Sequence, residues 1–245
     1  MIEDISIENH SIAFEEQYHN LRLREQRIYS NQQIAKLPDI EADHVHAREW
    51  MARKQSSERL IQLLKKKKTR LNILEVGCGN GWLSAKLSGI GNATVTGIDL
   101  NRIELMQAVT TFDERDNLHF IYGDVRTAQL PSAGFDVIVF AASLQYFSSL
   151  PAIITKALSL ISKDGEIHIL DTPLYDKNET DQAAMRTKDY YISLGFEKMS
   201  RYYFHHSFAE LHEFNYKIMY DPKHIFSRLK KMKQPFYHVI IKQTK

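Results

Sequence analysis

The stretch ILEVGCGNGWLSAKL, residues 73–87, decides the fold. A β-prone apolar run contains a carboxylate at Glu75. Three glycines follow on alternate positions, Gly77, Gly79 and Gly81, and then a helix-like run begins. Without a Cβ, a chain turns sharply and lets another group lie against its backbone. The segment reads as a strand end, a bare loop and a helix start. By itself the loop leaves its occupant open.

The sequence downstream repeats the rhythm. Strand-like runs at 72–76, 93–99, 117–124, 135–141 and 165–171 alternate with helix-like runs at 80–90, 101–114 and 150–162. Parallel strands need crossover connections, so this order predicts a parallel sheet with helices on both faces. The strands are nearly continuous apolar runs, as expected of strands buried on both sides. A further helix is expected over 178–194, ending at Gly195, and residues 236–243 alternate like a strand. Residues 190–220 are dense in aromatics, which reads either as local core or as a wall over a small-molecule pocket.

Upstream, Ile12, Phe14, Tyr18, Leu21 and Ile28 recur among charges and predict an amphipathic helix over 11–30. A turn region at 38–43 precedes a second helix from His44 to Lys68, with Trp50, Leu60, Ile61 and Leu64 inward. Its terminal run Lys65–Lys68 suits a solvated helix C-terminus favoured by the macrodipole.

The totals narrow the classes. The chain has 245 residues, a formal net charge of +2 and one cysteine. No broad basic footprint marks a nucleic-acid binder, and no intramolecular disulfide is possible. The apolar run at 137–144 is far short of a membrane span, and residues 1–10 lack the basic-then-apolar order of a signal peptide. A soluble, cytoplasmic protein is expected.

Two occupants of the loop can be tested directly. A P-loop requires Lys and Ser or Thr to close it, and Trp82 stands where the second glycine is needed. A dinucleotide loop counted from Gly77 also needs a small residue at Trp82; counted from Gly79 it meets Ser84. None of the twelve tyrosines has a lysine four positions later, as a short-chain reductase would want. A nicotinamide cofactor is therefore disfavoured.

The Glu75–Gly81 pattern, the acid Asp99 after the second strand and Gly123-Asp124 after the third form an ordered set. Over residues 71–171 this set resembles the class I S-adenosylmethionine-dependent methyltransferases. The resemblance implies a three-layer α/β/α Rossmann-like fold with a mostly parallel seven-stranded sheet and an antiparallel last strand. Residues 1–70 would form an N-terminal helical cover. Residues 71–245 would form the binding domain, with an aromatic-rich insertion at about 175–234.

The resemblance also implies roles. Asp99 would accept from both ribose hydroxyls, Leu100 would pack on the adenine, Asp124 would meet its amino group and the Val125 N–H a ring nitrogen. Gly77, Cys78, Gly79 and Gly81 would face the methionine moiety, with Cys78 a small filler rather than a nucleophile. Glu75 would brace the loop or balance the ligand's ammonium. Ala142, Ser143 and Gln145 would wall the gap between cofactor and acceptor, and Tyr146 would orient the acceptor. Trp50, Arg53 and Ser56 recur at helical spacing and would close over the methionine end, Arg53 pairing with its carboxylate.

Absences trim the acceptor classes. There is no Pro-Pro pair of the DNA amino-methyltransferases, and Cys78 lies in the wrong place for a cytosine-carbon nucleophile. Ala141-Ala142-Ser143 stands where metal-dependent catechol methyltransferases carry an acid. The pairs His44/His46 and His205/His206 lack clustered carboxylates, so no metal is expected. His205, His206 and Tyr146 are the candidate catalytic groups. The reading is an S-adenosylmethionine-dependent methyltransferase of a small-molecule acceptor, giving S-adenosylhomocysteine, with neither nucleic acid nor membrane as partner. The alternatives are a non-catalytic S-adenosylmethionine-binding protein and, more weakly, a nicotinamide-dependent reductase.

Overall fold

A computed structural model describes residues 2–4, 9–224 and 234–243. A short strand β1 (Ile2–Asp4) and three helices, α1 (Asn9–Arg24), α2 (Asn31–Lys36) and α3 (Ala47–Leu64), precede the sheet's central strand β2 (Leu71–Val76). Then α4 (Trp82–Ser88), β3 (Ala93–Asp99), α5 (Arg102–Phe112), β4 (Leu118–Tyr122), β5 (Phe135–Ala141), α6 (Leu150–Leu160) and β6 (Ile161–Leu170) alternate. The last part holds β7 (Leu174–Tyr175), α7 (Thr180–Leu194), β8 (His206–Ser207), β9 (Asn215–Tyr220) and β10 (His238–Lys242).

The main sheet runs in the order β1-β4-β3-β2-β5-β6-β10-β9. Strands β1 to β6 are mutually parallel, and β10 lies antiparallel between β6 and β9. The expected seven strands with an antiparallel last strand are all present, and β1 adds a short eighth on the edge beside β4. A separate ladder pairs β7 with β8.

Alternation along each central strand feeds two cores. Ile73, Val95, Val137 and Val139 face one side, where Leu60 and Leu64 of α3 and Leu105 of α5 join them. Leu74, Val76, Ile138, Phe140 and Ile169 face the other, against Ile153, Ile154 and Ala157 of α6. Both faces are covered, which is why these strands have little polar periodicity.

Three local readings differ from the sequence expectation. The first helix stops at Arg24, because Gln26 adopts a left-handed φ of 58°. Ser30 then starts α2 through a capping box: its side chain accepts from the Gln33 N–H at 3.3 Å while Gln33 Oε1 accepts from the Ser30 N–H at 2.9 Å. Strand β9 was hidden in a mixed segment because it is a largely exposed edge strand with no clean alternation. Of the expected insertion, residues 225–233 lie outside the described residues. Among the described residues no helix is long and apolar enough to cross a membrane.

Phe140, fully buried on β5, anchors the α6-side core. Phe140→Ala should lower unfolding free energy by about 3–5 kcal/mol through lost transfer and an unfilled cavity, read as a shifted urea midpoint at unchanged slope.

Candidate functional site

The carboxyl ends of β2, β3, β4 and β5 open into a cleft of two adjoining chambers, the position where open α/β sheets bind ligands. Asp99 and Leu100, Asp124 and Val125, and Ser143 line the first, roofed by Phe14 and Tyr18 of α1. Arg22, Arg27, Trp50, Arg53, Glu75 and Cys78 line the second. Among the described residues five line both: Tyr18, Gly77, Gly79, Glu104 and Ala142.

The glycine loop is forced by its neighbours. Gly77 has φ +74°, and a Cβ there would overlap the Cβ of Ser143. Ser143 in turn donates its hydroxyl to the Val76 carbonyl at 2.6 Å, pinning the end of β5 to the end of β2. Gly79 has φ +52°, and a Cβ would come within 2.7 Å of Glu104 Oε2. Ala142, between the two chambers, holds φ +55° without being glycine.

Asp99 ties the loop to the next strand. The Gly79 N–H donates to Oδ2 and the Asn101 N–H to Oδ1, each at 2.7 Å. Burial raises its pKa, and these backbone donors oppose the shift. A carboxylate has about four acceptor directions, so Asp99 retains acceptor capacity toward the first chamber beside these amides. Asn101 also caps α5, accepting from the Glu104 N–H at 3.0 Å, so Glu104 leaves the first turn toward Gly79.

Charges in the second chamber are sorted by wall. Glu25 pairs with Arg22 at 3.1 Å and with Arg27 at 3.3 Å; Glu49 pairs with Arg27 at 2.6 Å and with Arg53 at 2.9 Å. The result is an alternating ladder, Arg22–Glu25–Arg27–Glu49–Arg53, whose arginines face the chamber. Burial opposes ionisation of Glu49, but the Arg27 hydrogen bond and the Arg53 charge outweigh it and hold its carboxyl at about 2. On the sheet side, burial pushes Glu75 up to about 8 against the hydrogen bond donated by the Ser84 hydroxyl. Burial, with help from Asp99, pushes Glu104 up to about 7.

The residues expected from sequence fall into three groups. Glu75, Gly77, Cys78, Gly79, Asp99, Leu100, Asp124, Val125, Ala142, Ser143, Trp50, Arg53 and Tyr146 line the cleft. Some are partly committed. The Asp124 carboxylate is held in a fork by Arg126, with Nε at 2.9 and 2.8 Å from its oxygens. Arg53 gives Nε and Nη2 to Glu49, leaving its other donors for the chamber. Trp50 is core, donating to the Tyr29 hydroxyl at 2.8 Å and packed edge-on against Trp82. Cys78 fills space against Gly97, and burial raises its thiol pKa.

A second group stands just behind the wall. Gly81 turns the loop into α4 as its N-cap. Gln145 donates to the Ala142 carbonyl at 2.7 Å, and Ser56 donates to Asp171 at 2.8 Å. The third group is the histidines, and neither lines the cleft. His205 shares a 2.9 Å hydrogen bond with Thr187 and packs on Tyr203, which packs on Tyr146. His206 is buried against the Leu144 carbonyl and Glu210. Among the described residues no three metal-ligating side chains converge.

Sequence reading missed Tyr18, Arg22 and Glu104. The Asn101-to-Glu104 spacing is a helix-start signal that could have put Glu104 beside the strand end. Tyr18 and Arg22 lie four apart on α1, and their contact could be read from that spacing; their meeting with Tyr146 could not. Arg22 Nη2 donates to the Tyr18 hydroxyl at 2.7 Å and to the Tyr146 hydroxyl at 3.2 Å. The aromatics of 190–220 split their roles: Tyr191, Phe196, Tyr202 and Tyr203 pack with Phe14 and Tyr18 under α7, beside the mouth of the cleft.

Fold and cleft together are Rossmann-like, with the cleft at the carboxyl ends of the parallel strands. Residues 73–165 match the family described as a methyltransferase domain. An uncharacterized methyltransferase of Mycobacterium tuberculosis is 31% identical over 98 residues, 40% of this chain and 49% of that protein. A malonyl-acyl-carrier-protein O-methyltransferase of Halalkalibacterium halodurans is 31% identical over 118 residues, 44% of each. The chain thus spans about half the length of the curated relatives it matches. Magnesium protoporphyrin IX methyltransferase of Synechocystis PCC 6803, solved with S-adenosylhomocysteine bound, has a TM-score of 0.57 at 15% identity. That match covers 89% of this chain and 91% of that one, and shows the shared fold. Residues 73–165 are thus similar to a methyltransferase domain, and the chain shares the fold of a methyltransferase of known structure.

The raised acids set a pH dependence for the ligand-free protein. Glu75 ionises near 4.5 when unfolded and near 8 when folded, so the folded state holds the extra proton between these values. Its contribution to stability therefore falls as pH rises through that window. Between about pH 5.5 and 8.5, the melting temperature of Glu75→Gln should rise relative to wild type, measured by calorimetry without ligand.

Proposed function

We propose that the protein is a cytoplasmic methyltransferase that uses S-adenosylmethionine, without a metal, on a small-molecule acceptor. The observation that carries this reading is the match between two unlike chambers and two unlike halves of one ligand. The first chamber has an acid, Asp99, beside apolar Leu100 and Val125, which suits a ribose diol and a purine. The second has arginines on one wall and Glu75 on the other, which suits the carboxylate and ammonium of an amino acid. The glycines between them leave room against the backbone. The residues present fit the cofactor.

S-adenosylmethionine supplies a methyl group already activated on a positively charged sulfur. The chain's own work is then to align the acceptor and exclude water. In this reading Arg53 and Arg22 hold the amino-acid end, with Glu49 and Glu25 fixing their guanidinium planes. With β1 joined to the sheet instead, helices α1, α2 and α3 act as the cover, α1 roofing both chambers with Tyr18. Phe14 and Tyr202 flank the acceptor side, their rings 5.3 Å apart. Tyr146 orients the acceptor, its hydroxyl fixed by Arg22. A histidine base does not fit this geometry, because Tyr203 stands between His205 and Tyr146. The wall's composition favours an aromatic or apolar acceptor.

Calorimetry with S-adenosylmethionine, S-adenosylhomocysteine and NADH tests the reading. Both sulfur ligands should bind, and Asp99→Ala should weaken both by about 10- to 100-fold, the range of hydrogen bonds to a charged group. Failure of both to bind, or binding of NADH alone, would overturn it. Incubation with a metabolite library should then release S-adenosylhomocysteine; binding without any turnover would make the protein a non-catalytic binding module.

A further inference from the structure

We infer that Glu104 makes the site prefer the cationic methyl donor over its neutral product. This rests on the proposed cofactor and goes beyond it, since no sequence motif assigned Glu104 a role.

The argument is geometric. The sulfur of the donor joins the nucleoside to the amino-acid chain, so it must lie where the two chambers meet. Among the described residues only Tyr18, Gly77, Gly79, Glu104 and Ala142 line both. Of these five, Glu104 is the acid. Its Oε2 lies against Gly79, 2.7 Å from where a Cβ would stand. The side chain is half-buried and faces the cleft. Among the described residues it is reached by charge rather than by hydrogen bonds, with Asp99 on β3 opposing its ionisation and Arg22 on α1 and Arg53 on α3 favouring it. Its carboxylate is thus available to a ligand, whereas Glu75 accepts from Ser84 and Asp99 from two backbone amides.

Methyl transfer removes one positive charge from the sulfur. A carboxylate beside that atom attracts the donor and has no matching charge in the product. The consequence is selective: the donor is held, and S-adenosylhomocysteine leaves without a charge partner at Glu104. Were Glu104 instead a ribose acceptor, it would serve both ligands equally, because the ribose is common to them.

Calorimetric affinities of Glu104→Gln for S-adenosylmethionine, S-adenosylhomocysteine and sinefungin, which carries an ammonium in place of the methylsulfonium, separate these roles. The two cationic ligands should bind about tenfold or more weakly, with S-adenosylhomocysteine changed by less than about twofold. Retained product binding also shows that the variant is folded. Equal losses for all three ligands would overturn the inference while leaving the cofactor assignment intact; no binding to wild type would sink that assignment first. Should the variant not fold, wild type decides. Among the described residues the charged and titratable groups facing Glu104 are Tyr18 and Arg22 on α1, Arg53 on α3, Cys78 in the loop after β2 and Asp99 on β3, with Glu75 in the same chamber. The ratio of product to donor dissociation constants should climb as pH rises through about 7, where Glu104 ionises, and a flat ratio refutes the inference.

Discussion

One carboxylate organises the cleft. Asp99 ends β3 and accepts from the Gly79 amide of the loop after β2 and from the Asn101 amide at the start of α5. Two crossover connections are thereby tied at a single point. Asn101, so held, caps α5 and sets the direction in which Glu104 leaves the helix. Gly79, so held, turns its open face toward Glu104 and the gap between the chambers. Ionised acceptors hold amide hydrogens more strongly than neutral ones, which makes this an anchor that a neutral side chain would reproduce only in part.

The electrostatics follow a division between cover and sheet. Arginines come from α1, from the turn after it and from α3, each backed by a glutamate that does not line the chamber. The sheet side offers acids that burial disfavours in ionised form. A zwitterion suits both walls at once, whereas a ligand of one sign would leave one wall unmatched. Opposed walls therefore select for charge separation along a ligand as well as for its net charge.

Much of this was legible in the chain. The strand–glycine–helix unit at residues 73–87, the acids at Asp99 and Asp124 and the parallel alternation carried the fold and the first chamber of the cleft. Those signals are local: a glycine run, a strand-end acid and an apolar period each lie within a few residues. What escaped was contact between distant segments. Tyr18 meets Tyr146 across 128 positions of sequence, in an edge-on ring contact that no periodicity encodes. His205 and His206 drew notice by residue type, but their orientation is set by Thr187 and the Leu144 carbonyl, which the sequence around them does not reveal. Strand β9 was missed for the opposite reason, since an edge strand facing solvent leaves a weak pattern.

Ala142 shows what the molecule keeps at a conformational disadvantage. A left-handed φ of 55° is the province of glycine, and an L-residue there is disfavoured by roughly 1–2 kcal/mol. Yet the position carries a methyl group, on the wall common to both chambers. Glycine would relax the backbone and widen the passage by one carbon. The alanine is a small, rigid part of that wall, set by the backbone and immune to rotamer changes.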